Sequence, residues 1–208
     1  ILLRPHGDML ALNKKELKNK DFNIDNKILE NYNIKLFSAD LVFNNGLIAV
    51  LKKRENYIFI DHKVLNKLSD DEVKFWIFHE ISHIKDKDLI KTQNVTLLSY
   101  SFIPLILIFF SSQIGKDITL ITVLIIAFSL GLVYVVGIFW QFQYKHKLEL
   151  KCDKFAAEYV NNEIIKESFI KFINLGLLDK RKFDALTSHP NVHKRIDNLS
   201  LNLKFNTK

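Results

Sequence analysis

A single cysteine, Cys152, occurs in the 208 residues. An internal disulfide is therefore excluded, and the chain suits a reducing compartment. No nucleic-acid recognition motif is present, and the lysines behind the net charge of +7 are scattered, so no nucleic-acid partner is expected. The chain opens on Ile1 rather than Met, and its start is not read as a signal sequence. The most informative absence is of charge: Val95 to Ile114 carries none over 20 residues, and Ile118 to Phe142 none over 25.

As a helix, the first run spans about 30 Å, the thickness of a bilayer core. Pro104 lies within it, which membrane helices tolerate better than soluble ones. Gly115-Lys116-Asp117 breaks the apolar sequence. The second run is slightly long and can tilt or project, with Trp140 and Tyr144 suited to an interface. Roughly 160 other residues are too polar to sheathe these 45, so a transmembrane hairpin is expected rather than two buried core helices. Lys85, Lys87, Lys91, Lys145, Lys147 and Lys151 flank the hairpin, while its turn holds only Lys116. Positive flanks stay cytoplasmic. The expectation is a multi-pass protein of the cell membrane. Residues 93–144 form the hairpin, and residues 1–92 with 145–208 form one discontinuous cytoplasmic domain.

Just before the hairpin stands His79-Glu80-Ile81-Ser82-His83. Histidines four apart share a helix face, so both imidazoles can reach one metal ion. Glu80 sits about 100° round the helix, where it can meet an activated water without ligating the metal. The pattern points to one Zn²⁺ with a carboxylate general base. Its helix is well specified. Ser69 and Glu72 read as a capping box, Leu68 and Val73 as a hydrophobic staple, and Asp70 and Asp71 suit the positive helix end.

Upstream, residues 1–35 are mixed and lysine-rich, with one short helix suggested by Ile28, Leu29 and Tyr32. Leu41-Val42-Phe43, Asn44-Asn45-Gly46 and Leu47 to Leu51 read as a hairpin, since Asn-Gly favours a tight turn. Lys52 to Asn56 makes a second turn, and Tyr57-Ile58-Phe59-Ile60 a third strand. A small antiparallel sheet is expected to pack the motif helix. Tyr57, Ile58 and Phe59 are candidates for an edge strand that binds an extended peptide by main-chain hydrogen bonds.

A catalytic zinc takes three protein ligands and keeps a fourth position open. Residues 147–158 read as a helix continuing out of the second span, on which Glu149 and Asp153 share a face. Glu149 can ligate the metal while Asp153 accepts the N–H of a ligating histidine. The alternative is a solvated Lys/Glu face. Cys152 is a soft donor beside the pair but off their common face, and reads as a packing residue. Farther on, residues 164–173 suggest an amphipathic helix with Gly176 just past its end.

These blocks resemble the gluzincin membrane metallopeptidases that include the heat-shock protease HtpX and the CAAX prenyl endopeptidases. The likeness rests on His79–Ile84 followed by Asp88, on Glu149-x-x-x-Asp153 with Ala156-Ala157, and on Ser188-His189-Pro190 with Lys194-Arg195-Ile196 and Leu199. The intervening apolar hairpin also matches, so the resemblance covers residues ~57–200. It implies His79, His83 and Glu149 as zinc ligands and Glu80 as the base. Asp153, Asp88 and Arg195 lie behind the ligands, and His189 stabilises the transition state. The implied fold is α+β and mostly helical: a zincin-type metallopeptidase domain interrupted by a transmembrane helical hairpin. The implied activity is endopeptidase cleavage of polypeptide, including unfolded or membrane protein, in quality control. The HtpX branch carries membrane spans before its catalytic domain, and only Ile1-Leu2-Leu3 could be the stub of one here. BlaR-type sensors combine HExxH with a later Glu-x-x-x-Asp but lack the Ser-His-Pro…Arg-Ile ending. A dedicated peptide-processing peptidase and an idle zinc-stabilised scaffold are the remaining alternatives.

Overall fold

The structure is a computed structural model and describes residues 11–18, 22–41, 46–51, 55–111, 120–178 and 189–201. Helix α3 (Asp70–Lys85) is the central element. Its start is fixed by the capping box: the Ser69 hydroxyl accepts from Glu72 N–H, and the Glu72 carboxylate accepts from Ser69 N–H at 2.6 Å. Nearly all of α3 from Val73 to Ile84 is buried, because a sheet covers it on one side and helices on the others.

The sheet has four strands, β1 (Ala11–Glu16), β2 (Ile34–Leu41), β3 (Leu47–Leu51) and β4 (Asn56–Asp61), in the order β1-β2-β4-β3. β1 runs antiparallel to β2 and β3 antiparallel to β4, but β2 and β4 are parallel. The expected antiparallel sheet is thus a mixed one. The expected hairpin between the segments now seen as β2 and β3 does not form, because β4 lies between them. Residues 42–45 of that expected hairpin fall outside the described residues. The physical reason is burial. Ile58, Phe59 and Ile60 are at most 2 % exposed, so both faces of β4 are covered. An uninterrupted apolar run suits a central strand better than an edge. Ile58 and Ile60 join the main core under α3, whereas Phe59 packs on the outer face with Ala39, Phe37 and Tyr57. β1 is an addition to the strands expected, and the short helix α1 (Asn26–Asn31) leads into β2.

A one-turn helix α2 (His62–Leu65) connects β4 to α3. After α3 the chain turns sharply through Lys87, which adopts a left-handed conformation (φ 53°), into α4 (Asp88–Tyr100) and α5 (Phe102–Ser111). Pro104 has no N–H to bond the Tyr100 carbonyl, and the helix is interrupted at Ser101 between them. α6 (Leu120–Ala157) then runs unbroken for 38 residues. It packs on α4 where Gly137 meets Ser99: a Cβ at 137 would stand 3.4 Å from the Ser99 Cβ and carbonyl. Residues 88–111 and 120–157 are both long and apolar enough to cross a membrane. Only 6 % of the most apolar window in each is buried, unlike the core helix of a soluble protein. The turn Gly115-Lys116-Asp117 and the last residues of the first expected span fall outside the described residues.

The lower part of α6 returns alongside α3. Helix α7 (Asn162–Asn174) then packs Phe169 and Phe172 on Trp76 of α3 and closes with Gly176 at φ +71°. α8 (Val192–Asn198), capped by Asn191, completes the core with Ile196 and the buried Arg195.

Candidate metal centre

Two helices, α3 and α6, bring three donors to one place. His79 and His83 sit one turn apart on α3, their rings 5.0 Å centre to centre. Glu149, on the part of α6 beyond the apolar run, lies opposite. Its Oε2 is 3.4 Å from His79 Nε2, and its Oε1 is 3.4 Å from His83 Nε2. The ligand atoms of the three residues all fall within 4.8 Å of one another, and all three residues are buried.

Each imidazole is held from behind. His79 Nδ1 is 2.9 Å from Asp153 Oδ1, and His83 Nδ1 is 2.9 Å from Asp88 Oδ2. A carboxylate can only accept, so each Nδ1 carries a proton, which leaves Nε2, turned to the centre, as the nitrogen that can give a lone pair to a metal once the ring is neutral. Asp88 reaches back to His83 because the left-handed Lys87 reverses the chain between α3 and α4. Asp153 is itself clamped by Arg195, whose Nε donates to Oδ2 at 2.7 Å and whose Nη2 donates to Oδ1. The Arg195 guanidinium is 2 % exposed and lies 5.2 Å from the ring centres of both Trp76 and Phe169.

The electrostatics favour a positive charge at the centre. Burial alone would raise the Glu149 pKa, yet His189, His79 and His83 together hold it well below the usual carboxylate range. Burial opposes protonation of both metal-facing histidines. Asp153 and Glu149 nevertheless raise His79, and Asp88, Cys152 and Glu149 raise His83 well above an ordinary imidazole. Asp153 is lowered, burial being outweighed by Arg195 and His79.

His79 Nε2, His83 Nε2, Glu149 Oε2 and Glu80 Oε2 are buried without hydrogen-bond partners. Leaving such groups unsatisfied is costly. Ligands of a tetrahedral ion at about 2.1 Å stand about 3.4 Å apart, which matches the 3.4 Å from a Glu149 oxygen to each histidine Nε2. The residues therefore fit a zinc ion, with three protein donors and a fourth side open.

That open side is a partly open cleft. Glu80, Glu149, His189 and Arg195 line its polar part, and Leu47, Trp76, Phe172, Leu177 and Leu178 form an apolar wall. His189 stands at the rim, its Nδ1 3.4 Å from Glu149 Oε1. The wall residues escape sequence reading because they come from three separate elements and look like ordinary core positions.

Tyr57, Ile58 and Phe59, expected to offer an edge to a peptide, lie on β4, whose two edges are both paired. That placement is corrected: the edge nearest the cleft is β3, which contributes Leu47. Ser188, part of the Ser-His-Pro pattern, falls outside the described residues. Cys152 does not join the three donors; it lies behind His83, with Sγ 3.4 Å from Nδ1.

A family model described as Peptidase family M48 aligns with residues 32–202 of the chain. No curated protein matches the chain.

Proposed function

The chain belongs to peptidase family M48, a family of metal-dependent proteases, and on that premise we propose that it is a zinc-dependent endopeptidase anchored in a membrane, with Glu80 as general base. The observation that carries this reading is the convergence of three buried, unpartnered donor atoms, His79 Nε2, His83 Nε2 and Glu149 Oε2, beside the equally unpartnered Glu80 Oε2.

When bound, zinc supplies a Lewis acid that brings the pKa of water towards about 7 and polarises a carbonyl. The chain's own residues do the rest. Glu80 takes a proton from the attacking water at Oε2 and returns it to the leaving amine. His189, half-exposed at the rim, donates to the oxygen of the scissile carbonyl as negative charge develops there. Asp153 and Asp88 keep both imidazoles in the tautomer that frees Nε2, and Arg195 keeps Asp153 ionised. An extended substrate adds to the edge of β3 that is unpaired among the described residues, with an apolar side chain against Leu47, Phe172 and Leu177.

The mostly exposed apolar helices support a lipid anchor. In this reading the spans at residues 95–114 and 118–142 enter and leave on the same side. The lysines flanking them then place residues 1–92 and 145–208, and the active site, in the cytoplasm. A cleft beside the membrane surface suits unfolded or membrane polypeptides, in the manner of the HtpX-like branch. Glu80→Gln tests the chemistry: cleavage of casein should be lost while one zinc per chain remains. Retained turnover would refute Glu80 as the base. A reporter cysteine at position 116, in a Cys152→Ser background, should react with an impermeant reagent only from outside the cell; labelling from the cytoplasmic side refutes the orientation.

A further inference from the structure

The side of His83 turned away from the cleft carries a second set of donors. Cys152 Sγ stands 3.4 Å from His83 Nδ1 and 3.8 Å from Asp88 Oδ2. Ligand atoms of His83, Asp88 and Cys152 lie within 4.8 Å of one another, and all three side chains are buried. Asp88 Oδ1 is buried with no hydrogen-bond partner, although the Lys91 ammonium lies 3.9 Å away. α6 thus addresses both nitrogens of one ring: Glu149 approaches Nε2 and Cys152, three residues on, approaches Nδ1.

A thiol, an imidazole and a carboxylate together select thiophilic, borderline-soft cations over magnesium or calcium. We infer that His83, Asp88 and Cys152 form a second metal site for a thiophilic divalent cation, and that its occupancy excludes the ion at His83 Nε2. The inference rests on the reading of His79, His83 and Glu149 as the zinc ligands. A neutral imidazole has one lone pair. With its proton on Nδ1 and directed to Asp88, His83 can ligate only through Nε2. A cation at Nδ1 requires the other tautomer, which turns an N–H towards the cleft.

The exchange balances without an electron transfer. The Cys152 thiol loses its proton to solvent, the imidazole proton moves from Nδ1 to Nε2, and the His83–Asp88 hydrogen bond gives way to bonds from both residues to the cation. Filling both sites at once would require a bridging imidazolate and the loss of one more proton. Zinc is therefore expelled through its own ligand rather than by competition for Glu149.

The test uses the full chain in detergent micelles, loaded with one equivalent of zinc and titrated with cadmium chloride beside a zinc-selective dye. A thiolate-to-cadmium ultraviolet band should rise in step with zinc release, one for one. Cys152→Ser and Cys152→Ala should each lose the band and need at least about tenfold more cadmium to release zinc. A band with zinc retained overturns the mutual exclusion. Zinc release without a band, at equal cadmium in wild type and variants, overturns the second site and means that cadmium exchanges only at the three-donor centre. A chain that takes up no zinc at all overturns the zinc reading itself, and this inference with it.

Discussion

Asp153→Asn separates two roles that one carboxylate plays. Asp153 is fully buried and receives two bonds from Arg195 and one from His79 Nδ1. Asparagine keeps the shape but removes the charge, and it turns an amide NH₂ towards a guanidinium that can only donate. Arg195, 2 % exposed between Trp76 and Phe169, is then a buried cation without its paired carboxylate, left only the more distant charge of Glu149. Breaking such a pair from one side costs about 3–5 kcal/mol. For a chain of this length that lowers Tm by roughly 6–20 °C. His79 also loses its anionic acceptor, so zinc affinity should fall about 10–100-fold. Adding Arg195→Met removes the stranded cation and leaves a flexible apolar chain between the two rings. The double variant should recover most of the lost stability but none of the zinc affinity. Thermal unfolding of the chelator-treated protein in micelles reads the first effect, and competition with a chromophoric chelator reads the second. Additive destabilisation in the double variant would refute the coupled pair. Unchanged zinc affinity in Asp153→Asn would refute the hold on His79.

Other expectations follow from the same geometry. In the zinc-free protein His79 and His83 have raised folded-state pKa values, through neighbouring carboxylates that outweigh burial. Their contribution to stability is therefore complete below about pH 6.5, the unfolded value, and is lost as pH rises through the folded values. Zinc binds the neutral rings, so the gap in Tm between zinc-loaded and chelated protein should widen from pH 6 to pH 8; a constant gap contradicts the assignment. Ser69→Ala removes the α3 cap and should cost about 1 kcal/mol in denaturant unfolding, with zinc stoichiometry still one. Gly46→Ala places a Cβ 3.0 Å from Leu177 Cδ1 at φ +76°, so a loss of about 1–3 kcal/mol is expected, and a stabilised variant would show that this contact relaxes freely.

What the sequence reveals and what it hides divides along physical lines. α3 is legible because its information is local: a capping box, an apolar period and two histidines one turn apart all fall within Ser69–Ile84. Strand positions are partly legible for the same reason, but strand order is not, because Asn44-Asn45-Gly46 signals a turn without naming the partner of the strand that follows. The clue to the order was the lack of alternation in Tyr57–Ile60, which favours a centre over an edge. β1, Ala-Leu-Asn-Lys-Lys-Glu, has little strand propensity, and its pairing with β2 decides its conformation. The wall of Leu47, Phe172 and Leu177 leaves no trace at all, since nothing in sequence marks which core residues border a void.

α6 shows why its two candidate site residues needed more than periodicity. From Leu120 to Phe142 it is apolar on every side and mostly exposed, whereas from His146 onward one face is buried and holds Glu149, Cys152, Asp153 and Ala156. A single helix obeying two solvents has no single pattern, so a window across Phe142 averages both away. On spacing alone, Glu149 and Asp153 among lysines are equally a solvated face. Burial decides between the readings: carboxylates at 4 % and 0 % exposure must be answered by positive charge. Arg195 answers Asp153. Glu149 faces the Nε2 atoms of His79 and His83, and its Oε2 has no hydrogen-bond partner, so in the proposed site a cation shared with the two histidines completes its surroundings.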